Sequence, residues 1–399
     1  RRHPTRLQPL LALARHHLSK PDPAAAAPYV ARAEALAPAA FDTRALRADW
    51  QAARTDWAAA AKAFGALRRE RPELAYLAGA EAGARFRLGQ FRLARAVGQE
   101  ALALAPADRG VQDFYRGLRA EGGHRVGAIA EHEDSSAISR SVWGAQATWH
   151  ASDRVRLGAE TTRRDWAGVA TAEQLGLSAD WRDGRWRALA RVDLPRQGGA
   201  VQAPLAEAEA SVATEALTAR VGAAEARWEE TAIAVSRLGR ERRLEADATY
   251  APDPRVSVHA NAQIGQLLLD GAPVGMARSL LGELTLRPAA ASPWTLYYQL
   301  RERAWGPAGA PVGLPLEVLV HSLLVGYADR FGPWRFELQP GYSLDAANGF
   351  GAPTLAGTLA LALGTDMELT AGGALSGGNF LAGQSGGYRR VEASLRWWF

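Results

Sequence analysis

Pro38, Pro72 and Pro106 recur at one interval of about 34 residues, and after Gly123 the apolar period shortens from about 3.6 residues to 2. One element cannot serve both periods. The chain therefore divides into a helical part, residues 1–123, and a strand-built part, residues 124–399. With the prolines superposed, Ala26, Ala60 and Ala94 fall together, and Val30, Phe64 and Gly98 follow four residues later. The turns Pro21-Asp22-Pro23, Thr55-Asp56-Trp57 and Leu88-Gly89-Gln90-Phe91 align as well. The small alanine lets paired helices cross closely, and each proline ends a helix because it has no backbone N–H to donate. Residues 110–123, closing on Gly122-Gly123, read as a capping helix and hinge.

Sixteen strand-like stretches can be read between 124–133 and 387–399, giving the expected fold class: an α + β multidomain chain with a sixteen-stranded antiparallel transmembrane β-barrel. On the last strand Val391, Ala393, Leu395, Trp397 and Phe399 share one face, while Arg390, Glu392, Ser394 and Arg396 share the other. In a sandwich the apolar face would be the core; in a barrel it meets lipid and the charged face lines water. Two features favour the barrel. Trp143, Trp149, Trp181, Trp186, Tyr250, Trp294, Trp334 and Phe399 stand near strand ends, as interfacial girdles require. The opposite face carries Arg154, Arg156, Glu160, Arg185, Arg187, Arg191 and Asp193, too many charges for a dry interior. Leu359 is read as facing lipid and Ala360 as facing water, and Pro340 is expected to disturb pairing within its strand. An even strand count puts both barrel ends on one side, the periplasmic one if the helical part is exported.

No run of 18 apolar residues is present, which excludes a transmembrane helix. The chain has no cysteine, in keeping with an oxidising envelope and incompatible with thiolate chemistry. It opens on Arg1-Arg2-His3-Pro4, so a mature or truncated form is expected, with an export signal and further repeats upstream. Residues 1–123 carry 20 Lys+Arg against 12 Asp+Glu, and residues 124–399 carry 27 against 30. The dispersed arginines of the first part fit a solvated helical face or an acidic protein partner rather than nucleic acid.

No phosphate-binding loop, dinucleotide motif or metal-spaced histidine pair occurs, so no cofactor, metal or catalytic residue is expected. Ser257 with His259, or His321 with Ser322, would be the material for a hydrolase, but two polar residues on a strand do not make a nucleophile–base–orienter set. Strand facing instead marks a conducting lumen. Glu207, Glu209, Glu245, Asp247 and Glu337 form a candidate acidic track along it, with Arg301 and Arg303 as a constriction beside the 305–315 loop. The alternative is that these charges pair across strands and stiffen the wall. In the helical part Arg15, Asp49, Tyr76 and Phe86 are placed to line a concave groove, while Tyr76 and Phe86 could equally be inter-repeat core.

Residues 7–109 resemble the tetratricopeptide repeat. The whole chain resembles the outer-membrane exporters of bacterial exopolysaccharides, the poly-N-acetylglucosamine, Pel and cellulose type. The resemblance runs most closely through Glu229-Glu230-Thr231-Ala232, Arg240-Glu241-Arg242-Arg243-Leu244, Pro252-Asp253-Pro254-Arg255 and Pro293-Trp294-Thr295-Leu296. It implies a barrel in outer-membrane lipid, inserted by the barrel-assembly machinery through Phe399, that passes an exopolysaccharide outward. It also implies periplasmic repeats that recruit a glycan-modifying or synthase-complex protein. Two other readings remain: a translocator of surface lipoproteins, which by resemblance to that family would have fourteen strands, and a surface or phage receptor working through the 377–386 loop.

Overall fold

The computed structural model describes residues 7–20, 22–135, 138–214, 216–306, 317–380 and 386–399. Pro21, most of the 305–315 loop and residues 381–385 of the 377–386 loop lie outside the described residues. The chain forms two compact units, one running to His124 with Phe399 and the other spanning Arg125–Trp398.

The first unit stacks helical hairpins: α1 (Leu7–Leu18) with α2 (Pro23–Leu36), α3 (Phe41–Ala53) with α4 (Trp57–Glu70), α5 (Ala75–Arg87) with α6 (Phe91–Leu104), then α7 (Arg109–Gly122). Each second helix stops two residues before its proline. The superposed alanines Ala26, Ala60 and Ala94 are all fully buried. Val30 and Phe64 fill the next layer, and Gly98 makes room there, since a Cβ would stand 2.5 Å from Leu118 Cδ1. Asp22, Asp56 and Asp108 cap α2, α4 and α7 by accepting the backbone N–H three residues on. The aligned turn positions Thr55 and Gly89 both take positive φ, 62° and 73°, which explains why glycine occurs at one of them.

The second unit is one closed antiparallel sheet. Its strands are β1 (Arg125–Ser135), β2 (Ser139–His150), β3 (Val155–Trp166), β4 (Ala170–Asp183), β5 (Trp186–Gln197), β6 (Ala200–Val201), β7 (Leu205–Ala213) and β8 (Leu217–Arg227). After a short helix α8 (Ala232–Ser236) come β9 (Arg240–Asp253), β10 (Val256–Leu269), β11 (Ala272–Leu286), β12 (Trp294–Trp305) and β13 (Glu317–Phe331). The last four are β14 (Trp334–Asp345), β15 (Phe350–Leu363), β16 (Met367–Ser376) and β17 (Tyr388–Trp398). Two-residue β6 pairs with β5 alone, while β5 also pairs with β7, so the wall has sixteen strands. It closes where β1 pairs with β17, Arg125 opposite Trp398, which places both ends of the barrel on one rim.

The outward face is apolar, with Trp149, Trp181, Trp186, Tyr250, Trp294, Trp334 and Trp397 each 39–58% exposed beside the rim that carries the ends. That is the girdle position of a barrel in lipid. Several details depart from the sequence reading. Arg154 and Arg185 sit in rim turns rather than on the inner face. Pro340 interrupts pairing on one side only: the β13–β14 register skips between Leu324–Gly341 and Tyr327–Leu338, whereas Pro340 still stands opposite Leu355 in β15. Ala360 does face inward but is only 8% exposed, so it is packed rather than open to water.

Candidate functional site: the lumen and its plug

On β7, Glu207 and Glu209 alternate with outward Ala206, Ala208 and Ala210, and on β9 Glu245 and Asp247 alternate with outward Leu244 and Tyr250. All four acids therefore face the lumen. Three of them converge on one cation. Arg220 of β8 reaches Glu209 at 3.1 Å, Glu245 at 2.6 Å and Asp247 at 3.7 Å. His259 then bonds Asp247 at 2.7 Å, and Asn261 donates to Glu245 at 2.9 Å. This knot is cross-strand bracing, the second of the two roles the sequence left open. Replacing Glu245 and Asp247 together would thus also strip Arg220 of two partners. Glu207 lines the same recess but has no ion pair among the described residues. Glu337 of β14 faces inward too, and its neighbour is a carboxamide: Gln339 Nε2 donates to it at 2.5 Å.

Arg301 and Arg303 share the inner face of β12. Arg303 pairs with Glu230 and lies 5.0 Å over the Trp305 ring. Arg301 has no carboxylate partner among the described residues, and its register neighbours are Leu281 and Val320. The two hydrolase pairs dissolve. Ser322 points inward to Ser343 at 2.8 Å, whereas His321 points outward to the Tyr298 hydroxyl at 2.8 Å. His259 is held by Asp247 rather than by Ser257.

The largest feature was not foreseen. The β8–β9 connection, residues 228–239, folds inward instead of standing as a loop. Its base is pinched where Trp228 N–H donates to the Gly239 carbonyl at 2.9 Å. Gly239 is required there, because a Cβ would sit 2.8 Å from the carbonyl oxygens of Ala234 and Trp228. Trp228 and Ala234 pack on Leu267, Ala277, Trp305, Val318 and Val320, lumen-facing residues of β10 to β13. Val235 packs on Trp166 and Ala172 of β3 and β4 across the barrel. Glu229 pairs with Arg140 of β2 at 3.0 Å, and the Val235 carbonyl accepts from Gln197 Nε2 at 2.9 Å. The segment touches walls on both sides of the lumen and plugs the half away from the chain ends. The sequence signal was present in Glu229-Glu230 before an apolar Ala232-Ile233-Ala234-Val235 run, which is out of place in a solvent loop.

In the helical unit, Asp49 and Phe86 line one recess of about 570 Å³ with Trp57, Phe64 and Phe114. Phe86 also packs on the α5–α7 core, so it serves both roles left open for it, while Tyr76 is 51% exposed and is not core. Arg15 and Tyr76 lie within electrostatic reach of Asp49. Burial pushes the Asp49 carboxyl up to about 6 from 3.8, against the pull of Arg15. A raised carboxyl costs stability only where it must ionise: nothing below the unfolded value of 3.8, increasingly as pH rises towards 6, and fully above. Asp49→Asn is therefore expected to stabilise the helices by roughly 2 kcal/mol at neutral pH, partial exposure considered, with the gain vanishing in acid. Urea titrations followed by far-ultraviolet circular dichroism across that range check both sign and window.

No family model and no curated protein matches the sequence. Among solved structures, a bacterial polysaccharide outer membrane secretin superposes with a TM-score of 0.58 at 11% identity, over 69% of this chain and 98% of that one. The second unit thus shares the fold of an outer-membrane β-barrel. CdiB from Acinetobacter baumannii (TM-score 0.46, 7% identity, 69% and 60% covered) and the first TPR domain of human RPAP3 (0.26, 14%, 28% and 87%) are more distant. The secretin likeness speaks to fold alone.

Proposed function

We propose that this chain exports a bacterial exopolysaccharide through the barrel, with the repeats on the periplasmic side recruiting a glycan-modifying or synthase-complex protein. The observation that carries the reading is the lumen itself. Its half nearest the chain ends is lined by carboxylates, carboxamides and hydroxyls interleaved with arginines such as Arg156, Arg187, Arg220 and Arg335, a surface that offers a sugar chain many hydrogen bonds, and its far half is crossed by one connection. A similar barrel belongs to a polysaccharide secretin, which agrees. The apolar recess with its half-buried Asp49 suits a partner segment that supplies a cation. Insertion would proceed through Phe399 and the barrel-assembly machinery into outer-membrane lipid. The acidic track narrows to Glu207 and Glu337, since Glu209, Glu245 and Asp247 are tied up by Arg220. Sixteen wall strands, not fourteen, count against the lipoprotein translocator.

The test exploits the absence of cysteine. Glu230→Cys with Arg303→Cys, joined by a short bis-maleimide, fixes the plug to β12. Secretion should stop and polymer should collect inside the envelope, while the uncoupled double variant secretes. Undiminished secretion after coupling removes the lumen as the route.

A further inference from the structure

The helical unit has a second recess, of about 410 Å³, which shares no residue with the one holding Asp49. Lys62, Arg68 and Arg69 of α4 and Arg85 of α5 line it, against the single carboxylate of Glu81. Glu81 is 1% exposed and ties the two helices together: Arg68 Nε donates to its Oε2 at 2.7 Å, and Arg85 Nε donates to its Oε1 at 2.7 Å. Gly65 makes room for that carboxylate, since a Cβ there would stand 3.1 Å from Oε1. Arg68 also bonds Glu100 of α6, and Arg85 bonds Gln90 at 3.1 Å, so both guanidinium planes are fixed. Bracing accounts for these two arginines. It leaves out Lys62 and Arg69, which are exposed and have no hydrogen bond or ion pair among the described residues. Cations are thus in excess around the recess, and the pinned arginines still have N–H groups to give.

We propose that this recess binds an acidic peptide segment of a protein partner. Charge complementarity names the sign of the occupant, and spacing names its kind. Lys62 and Arg69 are two helical turns apart on α4, about 10 Å along its axis, with Arg85 facing them from α5. A single phosphate or lipid headgroup cannot reach both ends, whereas a chain with a carboxylate every few residues can. The guanidinium groups take carboxylates by charge-assisted hydrogen bonds. Ala58, Ala61 and Leu88 give the recess an apolar lining against which glutamate stems pack. No aromatic residue lines it, so a polyanionic glycan finds no ring for the apolar face of a sugar. The proposal deepens the recruitment half of the reading above, on which it rests, and is independent of export: the recruited protein would present an acidic stretch here as well as a cation at Asp49.

The experiment is fluorescence anisotropy on the full chain in nanodiscs of zwitterionic lipid, with labelled hexaglutamate and hexaglutamine as probes. At low salt the wild type should bind hexaglutamate and not hexaglutamine, and high salt should weaken the binding. Lys62→Glu with Arg69→Glu should weaken hexaglutamate about tenfold, because two attractions become repulsions. Arg32→Glu with Arg109→Glu makes the same change in net charge at exposed arginines of α2 and α7 outside the recess, and should weaken it by less than about twofold. Circular dichroism confirms that both double variants keep their helix content. If hexaglutamate does not bind, or if the two double variants lose equally, the recess is not the site. If inorganic phosphate or an oligogalacturonate of the same length displaces the peptide at equal concentration, the occupant is an anion of another class and the proposal fails. Export is judged separately by the coupled plug: blocked secretion without peptide binding keeps the route and rejects this site, and peptide binding with unblocked secretion does the reverse.

Discussion

Replacing residues 228–239 by a short Gly-Ser turn is expected to raise single-channel conductance in planar bilayers several-fold. Arg227 and Arg240 already stand opposite each other at the end of the β8–β9 ladder, so the wall loses no strand pairing when the segment goes. What it loses is the packing of Trp228, Ala234 and Val235 against two sides of the lumen and the anchors of Glu229 and Glu230. Arg140 keeps Glu131 and Glu133, at 2.9 and 2.8 Å, so it is not left as a stranded charge. A sixteen-stranded wall without that segment encloses water, since its diameter exceeds what inward side chains fill. Trimming the β5–β7 connection, which carries β6 and contributes no residue to the plug cores, serves as the control and should leave conductance unchanged. Equal conductance of the plug deletion and the wild type would show that another element closes the pore.

The second large effect is on stability in lipid. Leu355 is 40% exposed on the outward face of β15, at mid-strand between Pro340 and Leu375. An arginine there meets the centre of the bilayer, and Leu355→Arg should cost about 2–4 kcal/mol of folding free energy in vesicles. Leu359 lies nearer the rim, where the same change should cost less. The inward control is Thr358, which is exposed to the lumen, rather than the packed Ala360 that alternation alone would suggest. Thr358→Arg should be tolerated. Denaturant titrations in vesicles compare the three, and equal losses at Leu355 and Thr358 would mean that the outward face does not meet lipid.

How far the sequence could be read follows the reach of its periodicities. The alternating strands carry facing in every second residue, which is why Glu207, Glu245, Arg301 and Glu337 can be placed inward from sequence alone. The repeat likewise fixes Ala60 and Phe64 by phase. Alternation is silent about partners, because Arg220 meets Glu209, Glu245 and Asp247 on two neighbouring strands whose stagger no local pattern encodes. It is equally silent about packing, so Ala360 and Thr358 look alike until wall curvature crowds one of them. The plug escaped for a related reason. Residues 228–239 are short, polar at one end and apolar at the other, and only the closed wall tells an inward fold from an outward loop.

The meeting of β1 with β17 bears on how the molecule comes into being. Every other neighbour in the wall is the next strand along the chain, joined through a turn or a single connection. Fifteen of the sixteen junctions are thus short excursions in sequence, which favour rapid, sequential zippering. The remaining junction spans the whole second unit, and the entropy of closing so long a loop falls on it alone. Until that last step the sheet has two bare edges, Arg125–Ser135 and Tyr388–Trp398, each a template for the wrong neighbour. The strand Tyr388–Trp398 is therefore both the last to be made and the one on which all the others wait.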